Sequence, residues 1–409
     1  MQKRSAAMVF ILITLFLDIL GIGIVIPVLP ELIKQFVGGS ESSAAVYFGP
    51  LAAVYALMQF VFAPILGSLS DRFGRRPIIL IALSGLAVDY LIQGFAPSIV
   101  WLFVGRILAG IMGASFTAAN AYIADISTPE NRAQNFGLIG VAFGLGFIFG
   151  PALGGLLGGI WIRLPFFVAA GLVLINLLYG LFVLPESLKP ENRSEFSWKK
   201  ANPVGSILLL KNYPIVASLA ATFVLTSLAQ RGLETTWVLY TGYKFGWGEQ
   251  TNGLTLAMVG VMAVIVQGFL IRPVIKRLGE RRAIILSLGL SVFSFFIYGI
   301  ATEWLMYVAI IVGALSGIAG PAVQGLVAGS VRPDEQGKVQ GALTSLISLT
   351  SVFAPLIFTT GLFGYFTSEK APFVLPGAPF FLGSLLFLLS LLMLSALFRR
   401  LPETPQPHV

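Results

Sequence analysis

The 409-residue chain contains no cysteine, one histidine and few charged residues. Without cysteine it can form no disulfide and has no thiolate chemistry. The single His408 lies next to the C-terminal residue, which excludes histidine-based catalysis and multi-histidine metal sites. Charged residues make up 11% of the chain, whereas soluble domains average about 25%. These shortages exclude a secreted, cytosolic or nucleic-acid-binding globular protein, and we expect no cofactor and no metal ion.

Long apolar runs take the place of the missing charge. Hydrophobic residues make up 56% of the chain, and its mean hydropathy is +0.89. A helix that spans a bilayer needs about 20 mostly apolar residues, and twelve runs of this kind occur. We therefore predict an all-α membrane protein with twelve transmembrane helices. The runs cover about residues 7–29, 46–66, 78–96, 99–123, 134–158, 164–184, 213–240, 249–271, 283–301, 304–330, 338–361 and 378–398.

One longer polar stretch, residues 185–212, divides the chain. It predicts an N-terminal six-helix half over 1–184, a cytoplasmic linker over 185–212, a C-terminal six-helix half over 213–398 and a cytoplasmic tail over 399–409. The other loops are too short to hold a soluble domain.

The basic residues predict how the chain lies in the membrane. If both termini and the even-numbered loops share one side, that side holds 20 of the 26 lysines and arginines. Two more fall inside spans, which leaves four for the opposite side. We therefore expect a multi-pass protein of the cell inner (plasma) membrane with both termini in the cytoplasm. The basic excess then reflects topology in a lipid bilayer and indicates no nucleic-acid partner.

The two halves repeat each other at a fixed offset of 204 residues. Gly113 matches Gly317, and Asn120 matches Gln324. Both halves also place a small residue and a proline at one depth, Gly150-Pro151 in the first and Ala354-Pro355 in the second. Six-helix repeats in parallel arrangement place a substrate path between the halves, near the bilayer midplane. The repeat therefore favours a carrier over an enzyme.

The loop after the second span, GSLSDRFGRRP (67–77), combines glycines, an acid and arginines. Glycine permits a tight turn between helices, and the acid, Asp71, could lie against the positive N-terminal end of a helix in the other half. Asp125, at the end of the fourth span, is an expected partner of Arg75. The alternative is a basic loop that only obeys the positive-inside rule. The predicted inner gate comprises Gly67, Asp71, Arg72, Gly74, Arg75, Arg76 and Asp125.

The fifth span carries closely spaced small residues and one proline. Small residues let two helices approach to backbone contact, and a proline frees a backbone carbonyl and can bend the helix. The alternative is ordinary glycine-mediated packing. The pattern consists of Gly137, Gly146, Gly150, Pro151, Gly154 and Gly155.

Ionisable residues inside the spans are candidates for proton coupling, because each costs about 2.5–3.5 kcal/mol at a helix centre. Asp18 lies in the first span, Asp89 in the third and Arg106 in the fourth. Our hypothesis is that Asp18 or Asp89 carries the proton and that Arg106 sets the charge state. The alternative is a fixed ion pair that never titrates. Arg231 and Glu234, three residues apart in the seventh span, are expected to pair with each other.

Polar and aromatic residues within the spans predict a substrate pocket of mixed character. Its candidates are Asn120, Gln324, Tyr55, Gln59 and Trp237. For each residue the alternative is hydrogen bonding between helices or core packing.

These motifs together resemble a known family. The 67–77 loop resembles the signature loop of the major facilitator superfamily, and RILAG (106–110) resembles its buried arginine motif. The glycine and proline spacing of the fifth span is similar to the antiporter motif of drug–proton antiporters. LDILGIGIVIPVLP (17–30) and ANAYIADIS (119–127) resemble the tetracycline-resistance efflux branch. The resemblance covers nearly the whole chain, apart from the central loop and the last two spans.

The resemblance implies a twelve-helix carrier, not an enzyme, that exports amphipathic small molecules by proton-coupled antiport and alternating access. We expect a monomer whose partners are protons and a small-molecule substrate. The chain departs from the branch at Ala263, where a histidine is typical, and at Ser291, where an acid is typical. One alternative is a proton-coupled importer or symporter of a small nutrient on the same fold. Another, from a different class, is a membrane enzyme or a lipid scramblase.

Overall fold

The computed structural model describes residues 2–113, 116–128, 131–194, 196, 214–318, 323 and 336–400. These residues are nearly all helical and contain no β-strand. The predicted substrate residue Gln324, most of the linker and the tail beyond residue 400 lie outside the described residues. The α-helices of the described residues are α1 Gln2–Val25, α2 Leu29–Val37, α3 Glu41–Phe73, α4 Arg75–Phe95, α5 Ile99–Gly113, α6 Phe116–Ile126, α7 Arg132–Ile160, α8 Leu164–Val183, α9 Pro214–Phe245, α10 Glu249–Ile265, α11 Ile271–Leu278, α12 Glu280–Ile300, α13 Glu303–Leu315, α14 Gln336–Ala354 and α15 Ala378–Arg400.

Two segments of the C-terminal half are wound as π-helix. Val266–Leu270 joins α10 to α11, and Pro355–Gly364 continues α14. π-Helical turns are rare and often mark functional segments. Pro151, the counterpart of Pro355 in the sequence repeat, lies inside the regular α-helix α7.

Ten helical stretches among the described residues are long and apolar enough to cross a membrane. The all-α membrane fold is therefore confirmed, while the count of twelve spans stays a prediction. The seventh predicted span forms α9, which carries Arg231, Glu234 and Lys244 in its second half. The tenth begins as a short apolar helix over Glu303–Ile318, beyond which most residues lie outside the described part of the chain.

The chain forms two compact units. The first contains Met1–Pro203, Thr235–Val261 and Ser351–Pro376. In this unit α1 packs on α7 and α8, α4 packs on α5 and α8, and α3 packs on α5 and on the π-helix that follows α14. The first unit thus holds the described N-terminal half together with the end of α9, the start of α10 and that π-helix.

The second unit contains Val204–Glu234, Met262–Thr350 and Gly377–Val409. Its core forms around α12, which packs on α13 and α15. Gly299 and Gly377 touch backbone to backbone, and the Phe295 and Phe387 rings lie with centroids 4.9 Å apart.

Candidate functional site

Arg75 is the centre of a charged cluster at the junction of α3 and α4. Gly74 has φ +106°, a conformation that residues with side chains rarely adopt, and so lets the chain turn sharply from one helix into the next. The Arg75 Nη1 lies 2.5 Å from Oδ1 of Asp71 and 2.7 Å from Oγ of Ser70. Its Nε lies 3.2 Å from Oδ2 of Asp125. We name these four side chains, Ser70, Asp71, Arg75 and Asp125, the Arg75 cluster.

The expected pair of Arg75 and Asp125 is thus present, and its role as a gate stays a prediction. The other two arginines of the loop point elsewhere. Arg72 is exposed and its guanidinium lies 5.1 Å from the centroid of the Phe73 ring. Arg76 donates from Nη2 to the carbonyl of Leu181, at 2.7 Å.

Asp89 and Arg106 lie side by side between α4 and α5. Asp89 is 1% exposed, and its Oδ2 is 3.8 Å from Nη2 of Arg106. The amide of Gln93 donates to Oδ1 of Asp89 at 2.7 Å. The Arg106 guanidinium lies 5.6 Å from the centroid of the Tyr55 ring, within the range of a cation–π contact. We name Tyr55, Asp89, Gln93 and Arg106 the Arg106 cluster.

The Asp89–Arg106 contact is too long for a hydrogen bond. Among the described residues, neither Oδ2 of Asp89 nor Nε of Arg106 has a hydrogen-bond partner. The Asp89 carboxylate therefore keeps bonding capacity for a water, a proton or a substrate group, and the Arg106 guanidinium keeps it for a water or a substrate group. Gly105 makes the approach possible, since a methyl group there would lie 2.7 Å from Oδ1 of Asp89.

Asp18 lies apart from this ion pair, on α1. It is 8% exposed, and its Oδ1 has no hydrogen-bond partner among the described residues. One turn further along α1, the hydroxyl of Tyr90 fills the space beside Gly21, only 2.6 Å from the place that a Cβ would take. Ionising a carboxyl group that is buried without a cation is costly. The charge of Asp18 therefore depends on whether water reaches it.

Thr14 and Asn176, which the sequence did not single out, form a polar contact one turn before Asp18. The Thr14 hydroxyl lies 3.1 Å from the carbonyl of Phe10 and 3.3 Å from Oδ1 of Asn176. Asn176 of α8 is 2% exposed, and its Nδ2 has no partner among the described residues. A buried asparagine in an otherwise apolar span was the available signal.

The predicted substrate residues that the structure describes have different neighbours, and their role stays a prediction. Tyr55 and Gln59 are neighbours on α3, and both contact Gly113, where a methyl group would lie 3.2 Å from the Tyr55 hydroxyl and 3.3 Å from Nε2 of Gln59. Asn120 is half-buried in α6. Trp237 is 3% exposed, with its ring centroid 6.5 Å from that of Trp247. Tyr55 is therefore a predicted substrate residue that also belongs to the Arg106 cluster, and Gln59 lies next to it.

The small residues of the fifth span bring α7 against two helices of the first unit. Gly146, Gly150 and Gly154 lie against Ile19, Gly23 and Ile24 of α1 respectively. Gly155 lies against the backbone of α10, where a methyl group would be 3.0 Å from the Cα of Gly253. Gly137 has no such neighbour, since no atom of the described residues lies within 4 Å of its Cβ position once its chain neighbours and the adjacent backbone of α7 are left out.

Arg231 and Glu234 form the expected pair on α9, with Nη1 and Oε2 2.7 Å apart and both side chains exposed. No three carboxylate or histidine side chains of the described residues gather into a group that could hold a metal ion.

The sequence also matches known proteins. A family model described as the Major Facilitator Superfamily matches residues 11–355 and, in a second match, 227–409. The chain belongs to this superfamily. Among relatives of this superfamily member, the class C tetracycline resistance protein of Escherichia coli is 42% identical over 359 residues, covering 88% of this chain and 90% of that protein. The class H protein of Pasteurella multocida is 36% identical over 407 residues, 98% of each chain.

A solved structure shows the same fold. The structure of the human organic anion transporter TETRAN superposes on the present chain with a TM-score of 0.68 and 24% sequence identity. The match covers 96% of this chain and 99% of TETRAN. The resemblance of the 67–77 loop to the superfamily, and of residues 17–30 and 119–127 to the tetracycline-resistance branch, is thus confirmed.

Proposed function

We propose that this protein is a proton-coupled antiporter that exports amphipathic small molecules, tetracycline-like compounds among them, by alternating access. The observation that carries the proposal is a pair of buried carboxylates on α1 and α4: Asp89 lies beside Arg106, and Asp18 has an oxygen with no hydrogen-bond partner among the described residues. The 36–42% identity to tetracycline resistance proteins supports drug export. It does not favour import of a nutrient.

The two carboxylates have different parts in this scheme. Asp89 is tied to Gln93 and lies beside Arg106, so its charge is balanced as long as the cluster is intact. Asp18 forms no ion pair with a cation of the described residues, and its Oδ1 has no hydrogen-bond partner among them, so it takes up a proton when buried and releases it when the site opens to water. Alternating burial and hydration of Asp18 would then link proton entry to drug exit.

Coupling in this chain rests on the N-terminal half. Position 291, where the tetracycline-resistance branch typically has an acid, is a buried serine whose hydroxyl donates to the Ser287 carbonyl at 3.1 Å. Position 263 is alanine. Neither side chain can carry a proton at physiological pH, which leaves Asp18 and Asp89 as the buried carboxylates of the described residues.

We assign the Arg75 cluster to the cytoplasmic side of the membrane, where it acts as the inner gate. The cluster ties α3, α4 and α6 together through one guanidinium. Loss of these contacts frees the helix ends, and their re-formation fixes them again. Both termini are then cytoplasmic as well. In this proposal the protein works as a monomer in the inner membrane, and its six-helix halves, 1–184 and 213–398, move against each other.

Purified protein in liposomes that hold a trapped pH dye tests the proposal. Under an imposed proton gradient, adding tetracycline or another amphipathic drug should move protons, and Asp18→Asn should abolish that movement. Glu191→Gln, which removes an exposed acid from the linker, is the matched control and should behave like the wild type. Drug flux that moves no protons in the wild type would contradict antiport, and full coupling in Asp18→Asn would remove Asp18 from the mechanism.

A further inference from the structure

The first residues after α8 lie on the junction of α3 and α4. The carboxylate of Glu186 accepts hydrogen bonds from the backbone N–H groups of Arg75 and Arg76, at 2.9 and 3.1 Å. These are the first two residues of α4. The same carboxylate also accepts from the N–H of Leu188, at 3.0 Å, which fixes its own orientation. Glu186 thus caps a helix that begins 111 residues earlier in the chain.

Gly74 provides the space for this cap. A methyl group at Gly74 would collide with the carboxylate of Glu186. Glycine at this position therefore does two things: it permits the turn at positive φ, and it lets an outside carboxylate reach the free N–H groups of α4.

Three more contacts hold the segment from Pro185 to Ser194 against this junction. The Tyr122 hydroxyl donates to the Pro185 carbonyl at 3.0 Å. The Ser187 hydroxyl donates to Oδ2 of Asp125 at 3.0 Å, the oxygen that also faces Arg75. The N–H of Ser194 donates to the carbonyl of Asp71 at 3.1 Å. The start of the linker therefore forms hydrogen bonds to two residues of the Arg75 cluster, the side chain of Asp125 and the backbone of Asp71.

We propose that Glu186 is a positioning residue of the inner gate. The first turn of a helix has free N–H groups and a partial positive charge, and an anionic cap satisfies both. Arg75 is the first residue of α4, so the cap fixes the backbone from which its guanidinium reaches Asp71 and Asp125. The linker start is then a working part of the gate. This inference rests on the proposed function only in treating the Arg75 cluster as a gate.

Hydrogen–deuterium exchange measures the cap directly. The N–H groups of Arg75 and Arg76 should exchange about fivefold faster in Glu186→Gln, since the neutral amide has one acceptor oxygen in place of two and no charge. Glu186→Asp keeps the charge with a shorter reach and should give an intermediate rate. Glu191→Gln, in the same segment but exposed, should leave the rate unchanged.

Proton leak through the same variants in liposomes, without drug, distinguishes positioning from general stability. A loosened gate should raise the leak in Glu186→Gln and less so in Glu186→Asp, with the melting temperature near that of the wild type. Combining Glu186→Gln with Asp125→Asn should add little to the leak of either change alone, because both act on Arg75.

Unchanged exchange at Arg75 and Arg76 in both Glu186 variants would overturn the inference, as would an equal increase in Glu191→Gln. If Glu186→Gln does not fold, the Glu186→Asp comparison with Glu191→Gln decides. Failure of the wild type to couple drug and proton movement would contradict the proposed function instead, and the exchange result would still report on the cap.

Discussion

Gly150 of α7 and Gly23 of α1 touch backbone to backbone: a methyl group on Gly150 would lie 2.8 Å from the Cα of Gly23. Real Cβ atoms do not approach so closely, so the two helices could not keep this distance with any larger residue at Gly150. The glycine pattern of the fifth span therefore has a direct structural cause on α1.

Gly150→Ala should destabilise the protein by about 1–3 kcal/mol, because the added methyl group overpacks a contact between two backbones. Gly137→Ala is the matched control in the same helix and motif. Its Cβ position is open, so this change should be neutral or should stabilise by up to about 1 kcal/mol through helix propensity. Thermal unfolding in detergent compares the two, and equal losses would contradict the assigned contact.

Arg106→Lys should reduce drug-driven proton movement at least tenfold while the protein stays folded. Lysine keeps the charge but loses the planar group that lies both beside Asp89 and over the Tyr55 ring. Arg163→Lys is the control, because that arginine donates to the Gly94 carbonyl and lies outside the cluster. Near-normal coupling in Arg106→Lys would mean that charge alone suffices.

Two substitutions at Tyr55 test whether proton coupling depends on its aromatic ring or on its hydroxyl group. Tyr55→Phe keeps the ring beneath the Arg106 guanidinium and should retain most of the coupling. Tyr55→Leu removes a cation–π contact of about 0.5–2 kcal/mol and should weaken coupling several-fold. The liposome assay that measures proton movement separates the two, and equal defects would assign the effect to the hydroxyl.

Asn176→Leu should change the free energy of unfolding by less than about 1 kcal/mol. Its Nδ2 is buried without a partner among the described residues, so the substitution removes an unsatisfied donor. Thr14 keeps its bond to the Phe10 carbonyl. A loss of 3 kcal/mol or more in thermal or denaturant unfolding would show that Asn176 makes a stronger bond than the Thr14 contact.

The sequence predicted the apolar helices and the pair of Arg231 with Glu234, because hydropathy and a spacing of three residues are signals within short stretches. The charges of the 67–77 loop and the acid at the end of the fourth span led to Arg75 with Asp125. For Arg106 the sequence left Asp18 and Asp89 as alternatives, and the structure has Asp89 beside it.

The neighbours of the predicted substrate residues could not be predicted, because they depend on how helices distant in the sequence pack. Trp237 packs beside Trp247, whereas Tyr55 contacts Arg106.

The cap from Glu186 was missed for a physical reason. Capping rules relate a residue to the helix that it precedes, whereas Glu186 follows α8 and caps α4. The sequence held one usable signal, an acid directly after a span and beside a proline. Its partner could not be named, because the fold alone brings residues 75 and 186 together.

Pro151 and Pro355 occupy equivalent positions in the repeat, yet one lies in a regular α-helix and the other opens a ten-residue π-helical segment. A π-turn has a wider circumference and less ideal hydrogen bonds than an α-turn. Equivalent prolines therefore do not fix the backbone winding of their helices. The N-terminal copy keeps the regular α-helix that packs on α1, whereas the C-terminal copy begins the π-helical turns that pack on α3.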